Sequence, residues 1–457
     1  MITNKRTSIL VVASLSSFLT PFMGSAVNIA LPAIGERFTL DALTLNWVST
    51  SYLIASAVFL LPIGHIADLY GKRRIFLGGL VLFCLSSLLI ALSPTAGLLL
   101  ASRILQGIGS AMIFGTGTAI LTAAYPPEER GRALGINISA TYLGLSLGPF
   151  IGGLLTQNLG WESVFLVNVP LGLAALALAY LAVESDGKRA EPGRLDVWGS
   201  LLYSTSLIAL MYGFSKIPDV SGAGVASLGA LGLVLFVVWE GRVASPVLSL
   251  HLMTKNRQFA FSSLAAFIHY SATFAVSFLL SLYLQYIKGM SPQAAGLVLV
   301  SQPLVMMVFS PAAGRLSDRV EPRILASVGM AVTCLGLFPL AFLGQDAALW
   351  QILIPLLVIG LGFAFFSSPN TNAIMSSVDR GKHGLASGMI ATMRLTGQTG
   401  SMGIVLVLFA LYMGESRITP EVFPGFMSSM KTGFLIFSLL CALGAAASMA
   451  RGGARGS

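Results

Sequence analysis

Apolar residues fall in fourteen long blocks separated by short polar breaks, at 9–34, 45–67, 75–94, 97–125, 132–156, 161–183, 196–215, 222–239, 258–286, 291–316, 323–344, 348–376, 384–412 and 431–450. A helix needs about 20 apolar residues to cross a bilayer core, so each block predicts one membrane-spanning helix. No short segments of period-two alternation occur, which argues against a porin-like barrel. The expected fold is an all-α polytopic membrane protein of 14 transmembrane helices. An even number of spans places both termini on the same side.

Composition agrees. Of 457 residues, 55% are hydrophobic and only 10% charged, against about 25% charged in soluble proteins. The formal charge of +9 raises the question of nucleic acid, but its distribution answers differently. Twenty Lys and Arg residues fall on the side of the N-terminus, and five fall opposite: Arg37, Lys216, Lys288, Arg417 and Lys431. That bias predicts cytoplasmic termini and no nucleic-acid partner. Lys5 and Arg6 precede an apolar run to Ile34. It is too long for a cleaved signal segment and is read as a retained first span. Cys84, Cys334 and Cys441 lie inside apolar runs. They read as packing residues without metal-ligand spacing, and no metal site is expected.

The stretch Gly64–Arg74 interrupts this pattern. It is a charged hairpin between two runs without Lys, Arg, Asp or Glu, Leu45–Ile66 and Ile75–Pro94. A degraded copy stands 250 residues later as Gly314–Arg323, with Pro62 before the first copy and Pro311 before the second. Each copy follows the second span of a set. The repeat predicts two six-helix bundles, 1–185 and 251–457, with a cytoplasmic linker and two additional helices in 186–250. Parallel-repeat transporters bind substrate near the midplane, between such halves. The segment Glu184–Asp196 carries seven charges and a Pro-Gly pair and reads as a solvated loop. No separate soluble domain is visible.

Each motif has a plain and a functional reading. In the hairpin, Gly64 allows close helix approach and Gly71 a tight turn. Asp68 can pair with the adjacent basic residues, Arg73 among them, or face a helix N-terminus. A simple positive loop would not need the order G-x-x-x-D-x-x-G-[KR]-[KR]. In span 4, Arg103, Gln106 and Ser110 share a helical face. A guanidinium in the membrane must face a cavity or a partner, either as a working group or as a brace bonded to backbone carbonyls. In span 5, Gly144, Gly148 and Gly152 recur every four residues, with Pro149 and Gly153 beside them. That makes a flat face for close packing, with a bend at the proline.

These motifs resemble the major facilitator superfamily. The hairpin is similar to its signature loop between spans 2 and 3, whose Asp helps hold the outward-facing state closed on the cytoplasmic side. The resemblance implies that role for Asp68, and for Asp318 in the second copy, where Glu321 replaces the turn glycine. The run R-x-x-Q-G-x-G at Arg103 resembles the span 4 motif whose Arg is assigned to proton coupling. The span 5 run resembles the antiporter motif of exporters. Trp161–Gly172, Val27–Pro32 with Asn28, Arg394–Gly397 and the span count resemble the fourteen-span drug:proton antiporter branch.

One departure bears on coupling. Many members of that branch carry an Asp in span 1 shortly before the V-N-x-A-L-P run, and here that position is Met23. All eighteen acidic residues lie near span ends or in loops. The groups left inside are neutral or basic: Arg394, Gln398 and Ser401 on span 13, and Ser262, His269, Thr273 and Ser277 on span 9. Gln302, Asn370 and Asn372 add to them. His269 could carry a proton or serve only in packing.

The sequence therefore points to a secondary active transporter, not an enzyme. It is expected to export small, mostly hydrophobic compounds across the cytoplasmic membrane of a prokaryote, as a monomer, by alternating access. The resemblance implies exchange for protons, with the proton gradient as energy source and no cofactor. No nucleotide-binding motif suggests direct ATP drive. Two alternatives stay open. One is a transporter of anionic or lipid-like substrates using Arg103 and Arg394. The other is a transport-inactive membrane sensor or scaffold, which would need a regulatory domain.

Overall fold

The structure is a computed structural model. It describes residues 2–183, 196–243, 253, 256–317, 319–378 and 383–450, with backbone alone at 2–4, 68, 69, 127, 128, 131, 132, 138, 383 and 384. Among these residues there is no strand, and fourteen helices are long and apolar enough to cross a membrane. They are α1 Lys5–Phe38, α2 Ala42–Ala67, α3 Lys72–Ala91, α4 Ala96–Ala124, α5 Ala133–Leu159, α6 Glu162–Ala182 and α7 Val197–Ser215. Then follow α8 Val220–Glu240, α9 Arg257–Ile287, α10 Pro292–Ser317, α11 Pro322–Leu340, α12 Trp350–Ser376, α13 Leu385–Tyr412 and α14 Pro420–Met449. The fourteen expected spans are all present. The linker 184–195 and Asp318 lie outside the described residues.

Local chemistry sets several starts. Thr95, Asp196, Asn256 and Ser291 each accept a backbone N–H from the first turn of the helix that follows, satisfying a donor left free at a helix start. One start differs from expectation. The last apolar block begins at 431, and Lys431 counts there among the charges on the side opposite the N-terminus. Its α-helix begins at Phe423 with Pro424 in the first turn, so Lys431 stands inside the helix with its side chain exposed. A single exposed cation on a helix face does not end a helix.

Two long helices are interrupted. The α-helix Arg257–Thr273 of α9 gives way at Phe274 to Ala275–Leu282 and then to a π-helical turn, Tyr283–Ile287. The Ala275 N–H donates instead to Ser401 Oγ of α13 at 3.0 Å. A side chain inserted into the backbone ladder is an identifiable cause of such a break. In α10 the two segments Pro292–Leu299 and Ser301–Ser317 meet at Val300.

The chain divides into two compact units, Met1–Phe38 with Trp47–Leu248, and Thr39–Asn46 with Ser249–Ser457. Both use glycines where backbones nearly touch. In the first, a side chain at Gly79 would strike α4 at Gly109 and Ile113, and one at Gly107 would strike the Tyr52 carbonyl and Ser56 of α2. In the second, Gly329 meets Gly362 and Phe366 of α12, and Gly360 meets Gln302 of α10. Helix association in lipid relies on such close approach. Gly107 and Gly109 thus correspond to Gly360 and Gly362. On the same spacing, Arg103 and Gln106 correspond to the buried apolar pair Leu356 and Ile359.

Helices α7 and α8 fall in the first unit. They pack through Gly213 on Ala226, Gly229 on Leu210 and Gly232 on Ser206. Tyr203 of α7 donates to the Ala57 carbonyl of α2 at 3.3 Å. Trp239 Nε1 closes the pair's other end on Asp196, at 3.1 Å from each oxygen.

Candidate functional site

The hairpin is sharper than its sequence suggested. The second helix runs on through Tyr70 and the next begins at Lys72, so the turn is Gly71 alone. Gly71 has φ +100°, where a Cβ is strained. Gly64 does not fit its expected role: a Cβ there would meet nothing within 4 Å. Its backbone nevertheless lies at the contact of α2 with α4, where a side chain at Gly115 would come within 3.7 Å of the Gly64 nitrogen. Arg73 Nη2 donates to the Tyr180 carbonyl at 2.8 Å, with its guanidinium 5.2 Å from the Tyr180 ring centroid. Tyr180 lies in the last turn of α6, where a cation satisfies free carbonyls and the helix dipole. The side chain of Asp68 lies outside the described residues.

The second copy is built differently. A side chain at Gly314 would press on Ser368 Oγ of α12, so this glycine does mark a close approach. Asn372, which is exposed, donates to Ser317 Oγ at 3.1 Å. Glu321, at the place of Gly71, has φ −53° and ψ 125°. That is ordinary extended backbone, so no glycine is needed. Its carboxylate takes the Arg323 Nε–H at 2.5 Å.

In α4 the predicted face is buried and fully engaged. Arg103 is 1% exposed. Its Nε donates to the Val48 carbonyl of α2 at 2.8 Å and its Nη1 to Gln106 Oε1 at 2.6 Å. Gln106 Nε2 passes on to Ser87 Oγ of α3 at 2.8 Å, and Ser87 donates to the Phe83 carbonyl. The guanidinium lies 4.5 Å from the Tyr52 ring centroid and 5.9 Å from that of Phe165, within cation–π range. Tyr52 in turn bonds Ser110 Oγ at 2.8 Å. The geometry is that of a brace across α2, α3 and α4. Ser87, Tyr52 and Val48 escaped the sequence reading. The spacing Ser49, Tyr52, Ser56 on one helical face was the available signal.

The glycine ladder of α5 seats against α1. A side chain at Gly144 would strike the Phe18 carbonyl, one at Gly148 Ser25 Oγ, and one at Gly152 Ala26. Gly153 is buried beside them, and the helix continues from Pro127 to Leu159 through Pro149. On α1, Asn28 Oδ1 accepts from Ser49 of α2 at 3.2 Å. Met23 is fully buried, with its Sδ 3.1 Å from Asn168 Nδ2 of α6.

The second unit gathers another set. Arg394 and Gln398 of α13 are partly buried. Arg394 acts electrostatically on Tyr270 of α9, whose hydroxyl shares a hydrogen bond with Ser367 of α12. His269 is 0% exposed, stacked on Phe366 at 4.0 Å and tilted against Phe363 at 4.8 Å. Gln302 is buried on α10. Asn370 Nδ2 donates to the Ser262 carbonyl of α9 at 3.1 Å. The structure thus brings His269, Tyr270, Ser367 and Arg394 together within one unit, while Arg103 and Gln106 form a separate group in the other. Among the described residues no cluster of His, Cys, Asp or Glu could hold a metal ion.

Fourteen apolar helices in two units, with polar side chains bonded within the spans, define a multi-pass helical membrane protein. The model of the Major Facilitator Superfamily matches residues 13–402 and again 262–451. The riboflavin transporter RibZ of Clostridioides difficile is 30% identical over 84% of this chain and 84% of its own. The cephamycin export protein CmcT of Amycolatopsis lactamdurans is 33% identical over 96% of this chain and 92% of its own. A bacterial homolog of the human lysosomal transporter Spinster shares the fold, with a TM-score of 0.68 at 14% identity over 98% of this chain and 97% of its own. The chain belongs to the Major Facilitator Superfamily and is a membrane transporter.

Proposed function

We propose that this transporter exports small, mostly hydrophobic compounds from the cytoplasm in exchange for protons. The observation that carries the direction is the seating of α5 on α1 through Gly144, Gly148 and Gly152. A side chain at any of the three meets α1, so this face is committed to close packing. The likeness to an export protein along nearly the whole chain supports the same reading. Both termini then lie in the cytoplasm, the membrane is that of a prokaryote, and a monomer suffices. The two units are the moving bodies, with the additional helices α7 and α8 carried along. The turn at Gly71 and the helix contact at Gly314, with Asp68 and Asp318, gate the cytoplasmic side.

A second reading concerns the substrate. Arg103 is held by its own bonds within the first unit, and Arg394 places a positive charge, partly buried, near Tyr270 and Ser367 in the second. That group favours an anionic or zwitterionic compound. Accumulation of a cationic, a neutral and an anionic dye, namely Hoechst 33342, riboflavin and fluorescein, by the purified protein in proteoliposomes under an imposed pH gradient tests both readings.

A further inference from the structure

His269 stands out among the buried side chains of the second unit. Among the described residues neither ring nitrogen has a hydrogen-bond partner, although a neutral imidazole always carries one N–H and one acceptor nitrogen. Phe366 lies nearly parallel to the ring, at 29°, and offers no acceptor in the imidazole plane. Phe363, tilted by 60°, offers at most a weak N–H···π contact. A fully buried group left in this state calls for an explanation beyond packing. A Leu or Phe would fill the same place without leaving polar atoms unpaired.

The surroundings supply one. From the start of α9, a line of polar contacts to α12 runs inward. Asn256 donates to the Ser377 carbonyl at 2.5 Å, Gln258 to the Ala373 carbonyl at 3.1 Å, and Asn370 to the Ser262 carbonyl at 3.1 Å. At the inner end of that line polar atoms are again under-satisfied: Ser262 Oγ, Ser263 Oγ and Asn370 Oδ1 have no partner among the described residues. Next along α9 come the small residues Ala265 and Ala266, then His269. Next along α12, one turn from Asn370, comes Phe366, whose ring covers the imidazole. The polar contacts thus run from the end of the helix pair to Ser262 and Asn370, and the apolar residues Ala265, Ala266 and Phe366 follow before His269, with Phe366 stacked on the ring. The titratable group in ring contact with His269 is Tyr270 on its own helix, and Arg394 of α13 acts electrostatically on that tyrosine. The neighbouring faces of α11 and α14 present Ala326, Met330 and Ala445, which carry no charge.

We propose that His269 is a proton-carrying group of this transporter, loaded and unloaded through the α9–α12 seam. A proton arriving along Gln258, Ser262 and Asn370 adds to the free ring nitrogen and gives an imidazolium. Release breaks one N–H bond of the imidazolium, the proton passing to a water molecule that the rearrangement admits to the ring, and restores the neutral imidazole. Exchange requires the Phe366 ring to move aside, which ties proton access to a rearrangement of this helix contact. This inference rests on the reading of the protein as a proton-driven exporter.

The test uses the full chain in proteoliposomes with the same three dyes, comparing wild type, His269→Gln and the double variant Ser262→Ala/Asn370→Leu. Gln keeps a hydrogen-bonding group in similar space but cannot hold a proton at neutral pH. Expected is a loss of gradient-driven accumulation of about tenfold or more in His269→Gln, with downhill equilibration within about twofold of wild type. The double variant should slow gradient-driven uptake while leaving the final level intact. Full uphill accumulation by His269→Gln would overturn the assignment and leave proton-driven export standing. Loss of downhill flux as well, in a variant that still elutes as a folded monomer, would count against it as a purely structural effect. Wild-type flux that ignores the pH gradient would overturn proton coupling itself.

Discussion

The guanidinium of Arg103 sits 4.5 Å from the ring centroid of Tyr52, while its Nε bonds the carbonyl of Val48 one turn away on the same helix. Cation, ring and backbone acceptor thus come from one stretch of α2, and Gln106 extends the network to α3. Removing Gln106 should expose how much the brace depends on it. Gln106→Leu leaves Nη1 without that acceptor and Ser87 without its donor, at a cost of about 1–3 kcal/mol. A lowered melting temperature in detergent is the expected result. An unchanged melting temperature would mean that the brace is dispensable.

Glycines in this fold differ by what faces them, and a pair of substitutions separates them. Gly148→Val drives a side chain into Ser25 and the backbone at Ala26, and should cost at least about 1–3 kcal/mol through forced displacement of α1. Gly64→Ala meets open space inside a helix and should be neutral or stabilising by up to about 1 kcal/mol. Thermal unfolding of both variants in the same detergent gives the comparison. Equal destabilisation would contradict the packing described for α5 and α1.

Arg73 caps α6 from the turn after α2. Arg73→Gln removes the cation and its stacking on Tyr180, and should loosen the end of α6 by about 0.5–1 kcal/mol. Faster amide hydrogen exchange near Tyr180 to Val183, with the rest of the first unit unaffected, is the expected signature. Uniform exchange in both proteins would show that the contact does not hold that end.

Asp68→Asn is expected to reduce transport while leaving membrane insertion intact, because it removes the one acidic group of the Gly71 turn without adding bulk. Dye flux normalised to inserted protein measures this. Undiminished flux would make Asp68 a topological charge only.

The spans were legible because each is a continuous apolar block, and Gly71 because a one-residue turn between helices needs positive φ. What stayed hidden depends on neighbours distant in sequence. The break at Phe274 follows from Ser401 bonding the Ala275 N–H, and no local signal marks it. Gly64 and Gly314 look alike in the motif, yet only Gly314 faces a side chain across a helix contact. The shared face of Arg103 and Gln106 follows from helical spacing, whereas Val48 and Ser87 depend on the register between spans. The start of α14 was misplaced because Lys431 interrupts the apolar block without interrupting the helix. His269 was visible as a candidate, but its unbonded nitrogens and its cover by Phe366 were not.

Proton-driven export is the central claim, and flux in proteoliposomes under an imposed pH gradient tests it most directly. The account predicts accumulation of at least one of Hoechst 33342, riboflavin and fluorescein against its own gradient. That accumulation should vanish when nigericin collapses the pH difference and reverse when the gradient is inverted. Absence of flux for all three dyes under either gradient, or accumulation indifferent to nigericin, would contradict it.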